Sequence, residues 1–301
     1  MPTKLRLKLA VLLPGLLCAS LLQAAPKPPA EGTATWCSFD LPPMYIVTGP
    51  EAGKGSVQEH VRFLQSKLPQ YEHKTQLSSI PRLIKDMREQ QLVCAGMQRN
   101  EEREQSMLFS LPFYTTHPPA LITLRSRLAR IKPYLNAQGE VQLAELINNG
   151  ELNLGLTAGR SYGATLDTEL ARHLNDPHVQ VRTVAERLSE GLVSMMKLGR
   201  LDYTIAYESE RRLFLEQLGS HSGDELVQLP IAGLPRRIPI YIVAPKTEWG
   251  QRFIQHINAL LVRYWDDPQF RGPVLRIKDE AQRQRMLNDL RELRPGKRAQ
   301  P

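Results

Sequence analysis

The sequence predicts an α/β protein of two lobes, each built on a mainly parallel sheet that is covered by helices. Short apolar runs alternate with helical periodicity in two separate regions, at about 35–95 and 152–206. Alternation of strand and helix is typical of parallel sheets with helices on both faces. Extended apolar segments at 120–124 and 238–244 flank the second region, which indicates that the chain crosses between the lobes twice.

The first region has the order strand, helix, strand, helix, strand. Its strands are predicted at 35–39, 73–77 and 92–95, and the prolines that follow residue 41 end the first one because proline cannot donate to a strand ladder. Ser56 is the predicted N-cap of the first helix, and Ser79 precedes the second. Four apolar residues at helical spacing define the buried face of the first helix: Val57, Val61, Leu64 and Leu68.

The second region repeats this order without an obvious repeat in sequence. Its strands are predicted at 152–157, 179–182 and 201–206, and its helices at 166–174 and 184–198. Two further helices, at 248–265 and 280–293, return the chain to the first lobe. We therefore expect one lobe to contain 33–117 and 240–295, the other to contain 118–239, and a disordered tail at 296–301.

The N-terminus predicts export. Three basic residues (Lys4, Arg6 and Lys8) precede an apolar run at 9–22, and small residues at Ala24 and Ala25 supply a cleavage point. The run is shorter than the roughly 20 residues that a membrane span needs, so residues 1–25 are typical of a cleavable signal peptide. An uncleaved anchor is the alternative.

Composition argues against nucleic-acid and metal chemistry. The formal net charge of +8 falls to about +5 without the signal peptide, and the remaining basic residues are scattered rather than clustered. The seven histidines lack ligand spacing, so we expect no metal and no cofactor, and we expect most histidines at the surface. Cys37 and Cys94 are either a disulfide, as an oxidising compartment favours, or two buried thiols.

One short segment, 101–114, carries the strongest functional signal. Arg103 follows the third strand among three glutamates and precedes a Phe-Ser-x-Pro-aromatic-Tyr run. A guanidinium near a helix start, with free backbone N–H groups close by, can bind a carboxylate. Charge pattern alone favours a solvated arginine at this position.

This segment resembles a signature of periplasmic solute-binding proteins of family 3, which bind amino acids and other small polar solutes. A Pro-rich turn at 40–44 after the first strand matches that family, as do the Asn-Glu-Glu-Arg segment at 100–103 and the Phe-Ser-Leu-Pro-Phe run at 109–113. The resemblance implies a type II periplasmic binding fold, with Arg103 on the ligand's α-carboxylate. It also implies that the Gly-Arg-Ser loop at 159–161 binds the same group.

The chain departs from the family at two places. The Gly-x-x-Asp that often precedes the third strand is replaced at 90–94, although its second-lobe equivalent at 199–202 is intact, which makes Asp202 structural. The family's acidic partner for an α-ammonium falls on Tyr207, with Glu208 beside it. Arg99 and Arg160 near the same cleft suit a more anionic ligand, or are exposed basic residues. The resemblance thus implies a ligand-binding set of Asp40, Leu41, Gln98, Arg103, Arg160, Ser161, Tyr207 and Glu208.

The resemblance implies a periplasmic protein that binds a small carboxylate-bearing ligand and delivers it to an inner-membrane permease of an ABC transporter. We expect a monomer and no enzymatic activity. A sensor or accessory protein that signals to a membrane partner is one alternative. A dehydratase acting on cyclohexadienyl acids on the same fold is another, with Glu208 as its acid/base group.

Overall fold

Two β-sheets with helices packed against them make up the structure. The computed structural model describes residues 31–89, 92–183, 188–219, 225–277 and 280–295. The expected signal peptide and the expected tail at 296–301 lie outside these ranges. Within them, no helix combines the length and apolarity needed to cross a membrane.

The elements follow the predicted alternation. In chain order the strands are β1 (Thr33–Ser38), β2 (Glu72–Leu77), β3 (Leu92–Met97), β4 (Met107–Phe109), β5 (Tyr114–Thr116), β6 (Ala120–Leu124), β7 (Leu154–Thr157), β8 (Val179–Arg182), β9 (Tyr203–Ala206), β10 (Leu226–Pro230) and β11 (Ile238–Pro245). The helices are α1 (Ser56–Ser66), α2 (Ile80–Glu89), α3 (Glu101–Ser106), α4 (Leu128–Ile131), α5 (Leu143–Asn149), α6 (Ala164–Ala171), α7 (Leu188–Lys197), α8 (Arg211–Leu218), α9 (Glu248–Tyr264), α10 (Gly272–Leu275) and α11 (Glu280–Glu292).

The first sheet has the strand order β2-β1-β3-β11-β4, and β5 also pairs with β11. Strands β1, β2 and β3 are parallel, whereas β11 runs antiparallel to β3, β4 and β5. The core of this lobe includes the fully buried rings of Trp36, Tyr45, Phe113 and Phe253. On adjacent strands β1 and β3, Cys37 and Cys94 form a disulfide with their Cα atoms 5.0 Å apart.

The second sheet has the order β10-β6-β9-β7-β8, in which β7 is parallel to both of its neighbours. Strands β6 and β10 form an antiparallel pair, and β6 is antiparallel to β9. Two separate apolar clusters pack against this sheet. The loops that follow β7 and β9 lie beyond the carboxyl ends of these two parallel strands, the edge at which open parallel sheets bind ligands.

The chain passes between the sheets twice, at 117–119 and at 231–237. Hydrogen bonds join the second crossover to α11. The buried carboxylate of Asp289 in α11 accepts from Arg236 and from Arg237 of the crossover, the latter at 3.2 Å. The lobe bounds given above stay a prediction. The sheets themselves show that two short segments connect the lobes, which is the arrangement that hinge motion requires.

Several local expectations differ from the structure. Ser56 is the first residue of α1 rather than its N-cap, which is Gly55. A Cβ atom at Gly55 would lie 2.3 Å from the carbonyl oxygen of Met44, so the close approach of that loop requires glycine. Most histidines were expected at the surface, but His60 and His173 are buried. Helices α5 and α8 and strand β10 were not predicted.

Candidate functional site

A cavity of about 910 Å³ lies between the two lobes, where the parallel strands end. The segment after β1 contributes Leu41, and the segment after β3 contributes Gln98 and Arg103. The loops after β7 and β9 contribute, from the opposite side, Arg160, Ser161, Tyr207 and Glu208. Seven of the eight residues in the expected ligand-binding set therefore line one space.

Asp40 is the exception. Its side chain is buried, does not line the cavity, and accepts a hydrogen bond from the backbone N–H of Val47 at 3.3 Å. This contact holds the loop between β1 and α1. As a ligand-binding residue Asp40 stays a prediction that the cavity lining does not support.

Arg103 lies at the start of α3 because Asn100 caps that helix. The Asn100 Oδ1 atom accepts from the backbone N–H of Arg103 at 3.0 Å. The guanidinium is buried and donates to two backbone carbonyls, those of Gln98 and of Gly159 in the other lobe, both at 3.0 Å. Two carbonyl oxygens hold the planar group in place without neutralising it.

The charge of Arg103 is only partly balanced. Burial lowers the pKa of Arg103, and the negative charge of Asp167 opposes that effect. No carboxylate of a described residue forms an ion pair with Arg103. A buried cation that lines a cavity and lacks an ion-pair partner favours an anionic ligand.

Arg160 is held differently. Its Nη1 and Nη2 atoms lie 3.0 Å and 2.5 Å from the two carboxylate oxygens of Glu210, in a bidentate pair that is almost completely buried. Burial disfavours the charged form, but the Glu210 carboxylate outweighs it and the pKa of Arg160 is raised. The guanidinium also lies over the ring of Tyr207, 5.1 Å from its centroid. Arg160 thus shapes the cavity wall while its charge is matched by Glu210.

Hydrogen bonds between side chains connect the lobes beside Arg103. Gln98 Nε2 donates to the Tyr207 hydroxyl, which in turn donates to the carbonyl of Ser161 at 3.3 Å. Burial raises the pKa of Tyr207, so its phenol stays protonated and able to donate. Tyr207, where the resemblance leads us to expect the family's acidic partner for an ammonium group, is thus a neutral phenol that already bonds to the protein.

Asp167, in the first turn of α6, organises the second-lobe loop. It accepts from Ser161 Oγ at 2.5 Å, from the backbone N–H of Tyr162 at 2.7 Å and, across the lobes, from Asn100 Nδ2 at 2.8 Å. Neither Asp167 nor Glu210 was predicted from the sequence, and Asn100 was predicted only as part of the family-like segment at 100–103. A signal for Asp167 existed, since an acidic residue in a first helical turn favours hydrogen bonds to the preceding loop.

Glu208 lies at the rim of the cavity. Its side chain is 44% exposed, and Oε2 is 3.3 Å from Nδ1 of His117, in the first crossover. Among the described residues, no group of three or more His, Cys, Asp or Glu side chains is arranged to hold a metal ion.

Comparison with known proteins gives matches in structure alone. No protein-family model matches the chain, and no curated protein matches it. The similar structures include an ABC uptake transporter substrate-binding protein from Streptococcus pneumoniae with bound histidine, at 14% identity and a TM-score of 0.60 over 80% of this chain and 90% of that one.

Two further structures cover the chain to a similar extent. A histidine kinase sensor domain with similarity to periplasmic binding proteins has 12% identity and a TM-score of 0.60, over 86% of this chain and 96% of that one. A Salmonella typhimurium periplasmic binding protein of high arginine specificity has 16% identity and a TM-score of 0.56, over 81% and 97%. These likenesses confirm the predicted two-lobed periplasmic-binding-protein fold.

Proposed function

We propose that this chain is an exported binding protein that captures a small carboxylate-bearing solute, an amino acid or a related acid, between its lobes. The observation that carries the proposal is Arg103, a buried guanidinium that lines the interlobe cavity, is fixed by two backbone carbonyls and has no ion-pair partner among the described residues. A guanidinium so held presents its remaining N–H groups to a carboxylate without the entropic cost of ordering a mobile side chain.

Ligand entry requires the lobes to separate. Arg103 donates to the carbonyl of Gly159, and Gln98 donates to Tyr207, so both bonds cross the cleft. Opening at the crossovers 117–119 and 231–237 breaks these bonds, and closure around a ligand restores them. The ligand thus adds contacts to a closed state that the protein's own side chains already stabilise.

We propose the periplasm as the location and an inner-membrane permease as the partner. The signal peptide expected at 1–25 supports the first, and the ABC transporter protein among the similar structures supports the second. In this role the acid leaves the protein chemically unchanged, and incubation with the protein followed by NMR of the recovered acid checks that.

A thermal-shift screen of amino acids, polyamines and small organic acids tests the proposal. We expect acids to raise the melting temperature, since a ligand at one hundred times its Kd stabilises the folded state by about 2.7 kcal/mol. Calorimetry with the best acid is then repeated on Arg103→Met. We expect its affinity to fall at least about tenfold, the usual effect of losing a charge-assisted bidentate contact.

Arg99→Met is the matched control. Arg99 stacks between the rings of Phe109 and Tyr241 and does not line the interlobe cavity, so its loss should leave the affinity unchanged. Unchanged affinity in a folded Arg103→Met variant, or stabilisation by polyamines and not by acids, contradicts the proposal.

A sensor role is the second candidate, because the histidine kinase sensor domain matches more of this chain than the transporter protein does. Crosslinking the acid-loaded protein to inner membranes separates the two roles. Recovery of a permease and its ATPase favours transport, and recovery of a kinase favours sensing.

A further inference from the structure

The interlobe cavity is large for a single amino acid. Its volume of about 910 Å³ is near the upper end of the roughly 300–1,000 Å³ that ligand pockets occupy. The cavity does not end at Arg103 and Ser161, since α10 and α11 of the C-terminal segment line it as well. A ligand that fills it must extend well beyond its carboxylate.

Beyond Arg103 the wall has apolar side chains from three parts of the first lobe, although Arg276 and Gln282 line it as well. Leu41 and Met44 lie in the loop after β1, Ile240 lies in β11, and Ile277 and Met286 belong to the C-terminal segment. Leu41, Ile240 and Met286 are buried, so packing against their neighbours fixes the positions of their side chains. Binding to such a surface is favourable when it removes apolar parts of the ligand from water.

Among the described residues, the carboxylates that line the cavity are those of Glu208 and Glu216, and both are exposed rather than buried. The neighbouring carboxylates are engaged: buried Glu210 accepts the bidentate bond from Arg160, and half-buried Asp167 accepts from Ser161 and the backbone of Tyr162. An ammonium buried here would compete with Arg160 or remain unpaired, and both outcomes are costly.

We propose, building on the proposed function, that the ligand is a carboxylic acid with an extended apolar body and no free ammonium group beside the carboxylate. Arg103 takes the carboxylate, and the body lies along Leu41 and Ile240 toward Ile277 and Met286. An alkyl or aryl acid, or an amino acid acylated on its nitrogen, has this chemistry.

Two matched probe series test the inference on the purified protein by calorimetry and ligand-observed NMR. The first compares leucine with 4-methylpentanoate, which has the same skeleton without the amine, and we expect the latter to bind at least about tenfold more tightly. The second compares butanoate with octanoate. Each buried methylene tightens binding by up to about fourfold, so we expect at least about tenfold between these acids.

The cavity wall is tested by Ile277→Trp, with Leu275→Trp as its control. Ile277→Trp should narrow the apolar end of the cavity and remove the preference for octanoate over butanoate, while butanoate still binds. Leu275 is 45% exposed and does not line the cavity, so the same replacement there should leave the preference intact.

The outcomes separate this inference from the proposed function. Tighter binding of leucine than of 4-methylpentanoate, or equal affinities of butanoate and octanoate, overturns the inference. The proposed function still stands in either case if Arg103→Met abolishes binding of the acid that the unmodified protein binds. Absence of binding by every acid overturns both. The leucine comparison uses the unmodified protein, so it decides the question even if Ile277→Trp does not fold.

Discussion

Acidification should destabilise the protein through His60, which is buried on the inner face of α1. Its Nδ1 atom lies 2.8 Å from the carbonyl oxygen of Ser56. Three aromatic rings pack edge-on around the imidazole, those of Phe113, Tyr114 and Phe270. Burial lowers the pKa of His60 to about 4, although the Ser56 carbonyl favours the charged form. The folded protein therefore holds a neutral imidazole at pH 7.

The size of the effect follows from the two pKa values. An unfolded histidine binds a proton below about pH 6.5, whereas His60 in the folded protein does so only below about 4. Between these values the unfolded state binds more protons, so stability falls as the pH falls. From pH 7.5 to 5.0 the free energy of unfolding drops by about 2 kcal/mol from this residue, and below about pH 4 the loss is complete.

Urea unfolding at pH 7.5 and 5.0 measures this difference. The change between the two pH values is compared in the unmodified protein and in His60→Phe, which keeps an aromatic ring in the cluster. We expect the unmodified protein to lose about 2 kcal/mol more than the variant on acidification. His60→Gln, which keeps a donor toward Ser56, should behave like the Phe variant. The same pH dependence in all three proteins would refute the reasoning.

Three further predictions concern stability. Glu210→Gln should lower the free energy of unfolding in urea by about 3–5 kcal/mol, because it removes the negative charge that pairs with the buried Arg160 guanidinium. Replacing both residues with Met should recover most of the loss, and a loss below about 1 kcal/mol argues against the buried pair. Asp202→Asn should lower the free energy of unfolding by about 2 kcal/mol, because the Asp202 carboxylate accepts from two arginines and a backbone N–H. An unchanged midpoint of urea unfolding contradicts a structural role for Asp202. Replacing Cys37 and Cys94 with Ala should lower the free energy of unfolding by about 4 kcal/mol, since the crosslink spans 57 positions of sequence, and a reducing agent should lower the stability of the unmodified protein alone.

The parts of the fold that were predictable are those in which each residue's environment follows from its neighbours in sequence. The alternation of apolar runs and helical faces placed β1 to β3 and β7 to β9 close to their observed bounds. His60 could have been predicted as well, since it lies one turn from Val57 and Leu64 on the same buried face of α1. The helical periodicity indicated a buried position, but a histidine there was expected at the surface.

The site was less predictable because its contacts join distant positions. Nothing near Arg160 indicates that its charge is matched by Glu210, 50 positions later. Likewise, nothing near Arg103 shows that the carbonyl of Gly159, 56 positions later, accepts one of its N–H groups. Such partners depend on how the lobes close on each other, which no local pattern encodes.

The position of β11 has a consequence for the order in which the protein folds during synthesis. This strand lies inside the first sheet, between β3 and β4, yet it is made after every strand of the second sheet. Until residues 238–245 emerge, β4 and β5 have no strand beside them, whereas the second sheet already has all five of its strands. The lobe whose synthesis begins first is thus completed last. A chain halted near residue 230 exposes the unpaired edge of β3, and a strand of another chain can pair with such an edge.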